Sequence, residues 1–330
     1  PNIVFLVVES TDGRTWLPGY QSEVIPLPSI RALQKEGVTF RRHYSNTPVC
    51  CPSRATFWSG RHAHRIPHEQ PPTGANVHGV WNNYEGLPLN FTNRIDQVLK
   101  RETDYDVRMS GKRDWSTGSH TLNVQLNAWT MYTRFPYDIN ATGGWRDEKD
   151  VCRSNGTVLK GNASAHQNDW DTLRSSIAWL EKRANATRPW FVYQGMQIVH
   201  PPYQTNEHWL GKIDESKIEV PEWVPLDQLH PCDLQSSMLK GCVASDKEAP
   251  SVYSKERRRR VRAIYYAMIA EFDAMVGEYM KAVRRMGAWD NTVFIVTSDH
   301  GDMQMEHQQF YKMAPYDASS SVPLVILDGR

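Results

Sequence analysis

The sequence has one stretch in which residue types and spacing together indicate chemistry, and it begins at the adjacent cysteines Cys50 and Cys51. Pro-Ser-Arg follows them at 52–54, and after five further positions comes the pair Gly60 and Arg61. Cysteine is scarce, with five residues in 330, so two side by side require an explanation. A structural pair of thiols would need neither an arginine nor a Gly-Arg pair at a fixed distance.

Two common uses of cysteine do not fit this stretch. A zinc site needs further cysteines or histidines at paired spacing, and the sequence contains no Cys-x-x-Cys. A thiol phosphatase needs an arginine six positions after its cysteine to bind phosphate, but Thr56 and Phe57 stand at those positions. The stretch therefore predicts another kind of reaction centre.

Further candidate residues follow the predicted strands of a sheet, where polar clusters stand at 9–12, 111–112 and 298–301. Ligands of open α/β sheets bind beyond the carboxyl ends of the strands, so these clusters are candidates for one site. An acidic residue at a strand end is often only a turn or a helix cap. Two acidic clusters in one sheet, one of them with a histidine after the aspartate, also suit a metal ion. Spacing alone leaves both interpretations open.

The elements that must position these clusters alternate between apolar strands and helices. The β-branched run at 2–8 is typical of a strand buried on both faces, and 255–286 has apolar residues at helical spacing. The predicted strands are 2–8, 104–111, 189–196, 291–300 and 322–327, and the predicted helices are 28–37, 95–102, 169–185 and 255–286. This order predicts an α/β fold, with a mostly parallel central sheet that helices cover on both faces.

Charge, hydropathy and loop length limit the partners. The formal net charge of +1 gives no electrostatic reason to expect nucleic acid or an anionic membrane. No apolar run reaches the length of a membrane span. Long irregular stretches at 60–93, 116–168 and 201–252 are expected to build a binding site, because loops of this length are seldom filler in a compact domain.

Glycosylation sequons favour a protein of the secretory pathway. Five Asn-x-Ser/Thr sequons occur in this chain, in polar stretches. In an oxidising compartment Cys152, Cys232 and Cys242 could form disulfides, and a bond between the last two would close a short loop. The candidate glycosylation sites are Asn90, Asn140, Asn155, Asn162 and Asn185.

The stretch from Cys50 to Arg61 resembles the signature of the type I sulfatases, in the alkaline-phosphatase-like superfamily, and the resemblance extends over almost the whole chain. It implies that residues 1–330 form a sulfatase catalytic domain, truncated before a smaller C-terminal subdomain. Only Cys50 is in register, since Cys51 occupies a variable position. In the family, a formylglycine-generating enzyme oxidises this cysteine to Cα-formylglycine. One hydroxyl of the hydrated aldehyde attacks sulfur, and the other then expels sulfate as the aldehyde re-forms.

The resemblance also implies one calcium ion, bound by acidic residues after the first strand and by an Asp-His pair late in the domain. Here those positions are Glu9, Asp299 and His300, together with the oxygen that replaces sulfur at Cys50. The ion would stabilise negative charge at the nucleophile. Many sulfatases carry Asp-Asp where this sequence has Glu-Ser, and Asp12 is the candidate for the missing carboxylate.

Basic and histidine side chains in other motifs of the family complete the implied site. The implied catalytic residues are Cys50, Arg54, Lys112, His200 and Lys312, and the implied substrate-binding residues are Lys112, His120, His230 and Lys312. The arginine would hold the formylglycine, and the two lysines would bind the sulfate. His200, before a proline turn, would protonate the leaving oxygen. Asp114 replaces a histidine of the family, and His120 is expected to take over that role.

Several longer stretches, among them WNNYEGL and SDHGDMQMEHQQFYKMAP, are similar to one lysosomal branch of the family, which removes the 2-O-sulfate of glucuronate from heparan and related glycosaminoglycans. The resemblance thus implies exo-removal of this sulfate by a lysosomal or secreted enzyme. Two alternatives stay open. The first is a phosphodiesterase or phosphonate hydrolase with the same nucleophile and metal site. The second is an inactive, glycosylated protein that keeps the fold.

Overall fold

The computed structural model of the protein describes residues 1–70, 75–83, 85–88, 90–116, 156–239 and 254–330. Its strands are β1 (Asn2–Val8), β2 (Val38–Thr39), β3 (Pro67–Gln70), β4 (Ala75–His78), β5 (Asp106–Gly111), β6 (Thr157–Leu159), β7 (Trp190–Gly195), β8 (Gln204–Asn206), β9 (Thr292–Ser298) and β10 (Leu324–Asp328). Six of them form one sheet in the order β2-β10-β9-β1-β7-β5, and the short strands pair as β3-β4 and β6-β8.

Four neighbouring strands of the large sheet run parallel, which confirms the predicted fold class. β1 pairs with β7 on one side and with β9 on the other, and β5 pairs with β7. β10 runs antiparallel to β9 and, with the short β2, forms the other edge. Because the four parallel strands share one direction, the residues that follow β5, β7, β1 and β9 emerge together at their carboxyl ends.

Helices cover both faces of the sheet, as the alternation of elements predicts. They are α1 (Pro28–Glu36), α2 (Cys50–Ser59), α3 (Ile95–Glu102), α4 (Gln167–Glu181), α5 (Glu207–Leu210), α6 (Pro231–Leu239), α7 (Lys255–Arg285) and α8 (Asp317–Ser320). Successive residues of β1 point to opposite faces. Val4 and Leu6 pack in the same core as α1, α4 and α7, whereas Phe5 and Val7 pack in the core that contains α2.

Parts of the long irregular stretches form small sheets of their own. β3 and β4 are antiparallel, and β6 and β8 are parallel. Of the residues singled out in the sequence, five lie outside the described part of the chain: His120, Asn140, Cys152, Asn155 and Cys242. Within the described part, no helix combines the length and the apolar composition that crossing a membrane requires.

Candidate active site

The helix α2 begins at Cys50, and the local sequence explains how the cysteine is held. Val49 is extended, so the chain enters the helix directly at the cysteine. Pro52 lies in the first turn, where its missing N–H breaks no helical hydrogen bond. The Ser53 hydroxyl donates to the carbonyl of Asp299 at 2.5 Å and ties the helix to the end of β9. The positive partial charge of the helix N-terminus therefore lies at residue 50.

The Cys50 thiol is fully buried among charged and titratable groups. It donates to Glu9 Oε1 at 2.8 Å and accepts from the ammonium of Lys312, which is in close contact with it. Lys112 Nζ lies 3.9 Å from the sulfur, and His300 Nε2 lies 3.4 Å from it. We call these five residues, together with Arg54, His200 and Asp299, the Cys50 cluster.

Every parallel strand of the sheet contributes to the Cys50 cluster at its carboxyl end. Glu9 directly follows β1, Asp299 directly follows β9, and Lys112 directly follows β5. His200 comes from the turn after β7. The structure thus brings together the polar strand ends that the sequence singled out.

Four residues of the cluster could hold a metal ion. The ligand atoms of Glu9, Cys50, Asp299 and His300 lie within 4.8 Å of one another, and all four residues are buried. His300 Nδ1 lies 2.9 Å from the Gly301 carbonyl, and donation to that oxygen leaves the Nε2 lone pair facing the cluster. Two carboxylates and this nitrogen fit a divalent cation. Calcium prefers oxygen ligands, so the two carboxylates suit this ion better than the histidine nitrogen does.

Asp12 does not join these ligands, contrary to the expectation that it supplies a further carboxylate. Its Oδ2 lies 2.7 Å from Arg14 Nη2 and accepts from Gln304 Nε2 at 2.9 Å. Arg14 in turn binds Glu306 Oε1 at 2.9 Å. The Asp12 carboxylate is therefore engaged with the segment that follows β9, and the described cluster around Cys50 has two carboxylates.

Arg54 is a fully buried cation one turn into α2, and it links the carboxylates of the site to the sheet. Its Nε donates to Asp299 Oδ2 at 2.9 Å, and its Nη2 lies 3.6 Å from Glu9 Oε2. Its Nη1 donates to the Tyr193 hydroxyl at 2.8 Å and to the carbonyl of Lys112 at 3.2 Å. Burial opposes the charge, yet the adjacent acidic groups hold the pKa of the guanidinium above its ordinary value.

The Glu9 carboxyl group is buried, and its environment decides its charge. Desolvation and the neighbouring Cys50 raise its pKa to about 8, against the lowering effect of Lys112. The Lys112 ammonium is in close contact with Glu9 Oε2, and Lys312 Nζ lies 3.7 Å from Oε1. Burial by itself lowers the pKa of both ammonium groups, but Cys50 and Glu9 raise it above the ordinary value. Both lysines therefore stay charged and create a positive potential that suits an anion.

His200 reaches the cluster in a pair with Tyr311, which the sequence pattern did not identify. In the sequence, only its position next to Lys312 indicates that this tyrosine could lie at the site. The Tyr311 hydroxyl lies 2.5 Å from His200 Nε2, and His200 Nδ1 lies 2.5 Å from the Pro201 carbonyl. Burial and the Lys312 cation lower the pKa of His200 to about 3. The neutral imidazole thus donates from Nδ1 to the carbonyl and accepts at Nε2 from the hydroxyl.

Cys51 makes structural contacts of its own. Its backbone N–H donates to Asn83 Oδ1 at 3.0 Å, and its Sγ donates to the Ser116 carbonyl at 3.7 Å. Burial raises the pKa of the Cys51 thiol, so the group stays protonated and is a poor nucleophile. Asn83 is a further residue that sequence reasoning missed, and it restrains the first turn of α2.

The remaining candidates are placed differently. Asp114 is buried and its Oδ2 lies 3.5 Å from Lys112 Nζ, so its carboxylate pairs with that lysine. His230 is exposed just before α6, where its Nδ1 accepts from the backbone of Cys232 at 3.2 Å. The structure does not bring His230 to the Cys50 cluster.

A cavity of about 500 Å³ adjoins the site at the carboxyl ends of β5 and β7. Lys112 and Asp114 line it, and so do the exposed side chains of Arg113, Asn168 and Gln197. Hydroxyl-rich ligands are bound by such amide and charged groups through directed hydrogen bonds. The cavity therefore offers a place for a polar ligand that reaches Lys112.

Comparison with known proteins identifies the relatives of the chain. The family model described as Sulfatase matches residues 1–330. Arylsulfatase K of Bos taurus is 35% identical over 348 residues, which cover 99% of this chain and 57% of the relative. Arylsulfatase K of Homo sapiens is 35% identical over 342 residues, with 99% and 58% covered. The chain thus spans less than two thirds of the length of these relatives, and arylsulfatase K is the branch that the longer stretches resemble.

Solved structures show the same fold. Phosphonate monoester hydrolase of Agrobacterium radiobacter superposes with a TM-score of 0.70 at 22% identity, covering 100% of this chain and 68% of that one. A 2-O GAG sulfatase superposes with a TM-score of 0.59 at 18% identity, covering 99% of this chain and 64% of that one. At such identities the likeness concerns the fold alone.

Proposed function

We propose, from the premise that the chain belongs to the sulfatase family, that it hydrolyses sulfate esters with residue 50 as the nucleophile. One observation carries the proposal. The Cys50 side chain is buried at a helix N-terminus, between two ammonium groups and a candidate metal site. Charge that develops on an anion bound there would be stabilised by donors already in place.

The proposed nucleophile is a modified residue. In the proposed maturation, a formylglycine-generating enzyme converts Cys50 to Cα-formylglycine, whose hydrate supplies one hydroxyl to attack sulfur and a second to expel sulfate. Glu9 Oε1 already accepts from the thiol at 2.8 Å. The carboxylate is therefore placed to accept a hydrogen bond from a hydroxyl in the same position, which would orient that hydroxyl.

The surrounding cations would bind the substrate. Lys112 approaches residue 50 from the end of β5 and Lys312 approaches it from the irregular chain after β9, so they can contact different oxygens of one sulfate group. His200 is the proposed acid for the leaving oxygen. Burial and the Lys312 cation lower its pKa to about 3, and the negative charge of a bound anion would oppose the effect of the cation. Substrate binding would thus raise the pKa of His200 and allow it to carry the proton that the reaction needs.

Calcium is the proposed metal. Glu9, Asp299, His300 and residue 50 would hold one ion, which would supply positive charge to the nucleophilic oxygen and to a sulfate oxygen. Arg54 contributes by keeping the two carboxylates in position at 2.9 and 3.6 Å. Elemental analysis of the purified protein, with thermal shifts in calcium, magnesium and zinc, would decide the identity of the ion.

The proposed substrate is a glycosaminoglycan that carries a 2-O-sulfate on a terminal glucuronate. Similarity to arylsulfatase K supports this substrate class, and the polar cavity beside Lys112 offers space for the sugar. The proposed location is the lysosome or the extracellular space. The three described sequon asparagines, Asn90, Asn162 and Asn185, are all exposed, as attached glycans would require.

Two measurements test the proposed function. Mass spectrometry of the peptide that contains residue 50, from protein made with a formylglycine-generating enzyme, should show the aldehyde. Unmodified cysteine there would favour the inactive alternative. Sulfate release from a 2-O-sulfated glucuronate disaccharide should then exceed turnover of a phosphonate monoester or a phosphodiester. Faster turnover of the phosphorus substrates would assign the chain to the hydrolases with the same nucleophile.

A further inference from the structure

The segment that carries Lys312 has a backbone that its own sequence does not favour. We define the Lys312 segment as residues 302–313. Non-glycine residues with a positive φ recur along it: Gln304 (48°), Met305 (73°), His307 (51°), Gln308 (53°), Tyr311 (76°) and Met313 (69°). The left-handed region is unfavourable for L-residues because the Cβ atom crowds the backbone carbonyl. Hydrogen bonds to the segment's own Asp302 from the backbone N–H groups of Gln304 and Tyr311, together with contacts from outside the segment, hold this path.

The main contact joins the segment to the residues after β1. Arg14 Nη2 lies 2.7 Å from Asp12 Oδ2 and 2.9 Å from Glu306 Oε1, so the guanidinium bridges two carboxylates. The Tyr20 hydroxyl donates to the same Glu306 oxygen at 2.6 Å. The Asp12 side chain is fully buried, and it also accepts from Gln304 Nε2 at 2.9 Å. Glu306 and Gln304 are thus held at two points of the unfavourable backbone.

A second contact comes from α7. Arg262 is buried, and its Nη1 donates to the backbone carbonyl of Gln304 at 2.9 Å. Its Nη2 donates to the Tyr20 hydroxyl at 2.7 Å, which connects it to the Arg14 bridge. The Trp223 indole donates to the carbonyl of Met305 at 2.7 Å. These donors satisfy backbone carbonyls where the segment departs from regular structure.

The far end of the same segment enters the Cys50 cluster. The Lys312 ammonium contacts the Cys50 sulfur, and the Tyr311 hydroxyl lies 2.5 Å from His200 Nε2. Among the described residues, the side-chain hydrogen bonds and ion pairs of Arg14 and Glu306 go to Asp12, Tyr20 and Arg262 and to each other, and not to Cys50. Glu306 belongs to the segment, so its contacts with Arg14 and Tyr20 connect the residues after β1 to the segment that carries Lys312.

We propose that Arg14 and Glu306 are positioning residues, which place Lys312 against residue 50 and Tyr311 against His200 by holding the Lys312 segment. The inference rests on the proposed function, because the segment matters for catalysis only if residue 50 reacts. Lysine is long and flexible, so a shift of its backbone moves the ammonium away from the reacting group. A misplacement of about 1 Å can reduce a rate about 100-fold.

A double-mutant cycle in the formylglycine-containing protein tests this role, with 4-nitrophenyl sulfate as the substrate. Glu306→Gln keeps the shape of the side chain and removes its charge, and it should lower kcat about 10- to 100-fold with a smaller change in KM. If Glu306 acts through Lys312, the double variant Glu306→Gln/Lys312→Ala should be no slower than Lys312→Ala alone. A double variant slowed by the product of the two single effects would overturn the proposal.

Glu181→Gln is the matched control, because Glu181 also pairs with an arginine, Arg285, at 2.8 Å on the exposed surface. It should leave the rate within about twofold of the wild type. Amide hydrogen exchange separates the two proposals. If the wild type releases no sulfate, the proposed function fails, and faster exchange of 302–313 in Glu306→Gln than in Glu181→Gln would still support positioning. Equal exchange in the two variants would overturn it.

Discussion

Two regions bring a side chain to the same point of this molecule by opposite means. The helix α2 presents Cys50 at its first position and ends at Ser59, followed by Gly60, whose φ of 66° suits a glycine. The Lys312 segment presents Lys312 from an irregular backbone, in which neighbours such as Tyr311 adopt the left-handed region. The helix follows from local sequence, whereas the segment depends on residues almost 300 positions away, at Arg14.

The difference shows why the sequence predicts the first region better than the second. A helix fixes the relative positions of residues one turn apart, so Cys50 and Arg54 form a compact pattern. No such repeat connects Lys312 to its supports at Asp12 and Glu306. Substitutions in α2 should therefore act on the nucleophile directly. Substitutions around the Lys312 segment should act on how accurately Lys312 and Tyr311 are positioned.

The largest expected effect separates the two adjacent cysteines. Cys50→Ala should abolish sulfate release, because alanine cannot be converted to the aldehyde and has no group that could attack sulfur. Cys51→Ala should retain activity within a few-fold, because the Cys51 side chain contacts the Ser116 carbonyl and not the cluster. Both rates can be measured with 4-nitrophenyl sulfate. Loss of activity in Cys51→Ala with a normal aldehyde at residue 50 would contradict the assignment.

The next effect concerns the buried charge that joins helix and sheet. Arg54→Gln removes the cation between Asp299 and Glu9 and leaves both carboxylates buried without it. Breaking a buried pair in this way typically costs about 3–5 kcal/mol of the free energy of unfolding. Urea denaturation should report this loss. Arg174→Gln, which breaks an exposed pair with Asp171, should change stability by less than about 1 kcal/mol.

Lys312 should contribute to turnover rather than to folding. Lys312→Ala removes a donor in contact with residue 50, and loss of one such preorganised donor costs about 3 kcal/mol of transition-state stabilisation. Steady-state kinetics on 4-nitrophenyl sulfate should show it. Lys281→Ala, at an exposed lysine paired with Glu278, serves as the control and should keep full activity. An equal fall in kcat in both variants would show that Lys312 has no specific role at the site.

The raised pKa of Glu9 predicts a pH dependence of the protein without metal. In the folded chain this pKa is about 8, above the ordinary value of 4.5, so the folded state holds the proton more tightly than the unfolded state. The free energy of unfolding should therefore fall as pH rises from about 4.5 to about 8. The fall should be about 1.4 kcal/mol for each unit by which the pKa in the folded state exceeds that in the unfolded state. Urea denaturation in EDTA at pH 5 and pH 8 measures this. Glu9→Gln should lack this part of the decline, and an unchanged slope would contradict the prediction.

The smallest effect concerns the contact that fixes α2 to β9. Ser53→Ala removes the hydrogen bond from its hydroxyl to the Asp299 carbonyl, at 2.5 Å. The loss of one buried hydrogen bond should lower the free energy of unfolding by about 1 kcal/mol. Ser216→Ala, at an exposed residue whose hydroxyl bonds Asp214, should change it less. Equal changes would show that Ser53 does not anchor the helix.

The sequence by itself determined the layers of the fold and the composition of most of the cluster. Apolar runs such as 2–8 and 189–196 identify strands, because a strand buried on both faces needs continuous hydrophobic residues. The polar residues directly after them, such as Glu9 and Asp299, emerge at one edge because the strands are parallel. The family signature marked Cys50 within a contiguous stretch.

Only the tertiary structure decided which of the remaining candidates meet. His230 and His200 each stand beside a proline in the sequence, yet one is exposed and the other lies beside Glu9. Asp12, the candidate for the carboxylate missing from the family pattern, instead binds Arg14. Such choices depend on contacts between residues far apart in the chain, as in the bridge to Glu306. Spacing constrains neighbours along one element, but it does not constrain an irregular segment that distant side chains hold in place.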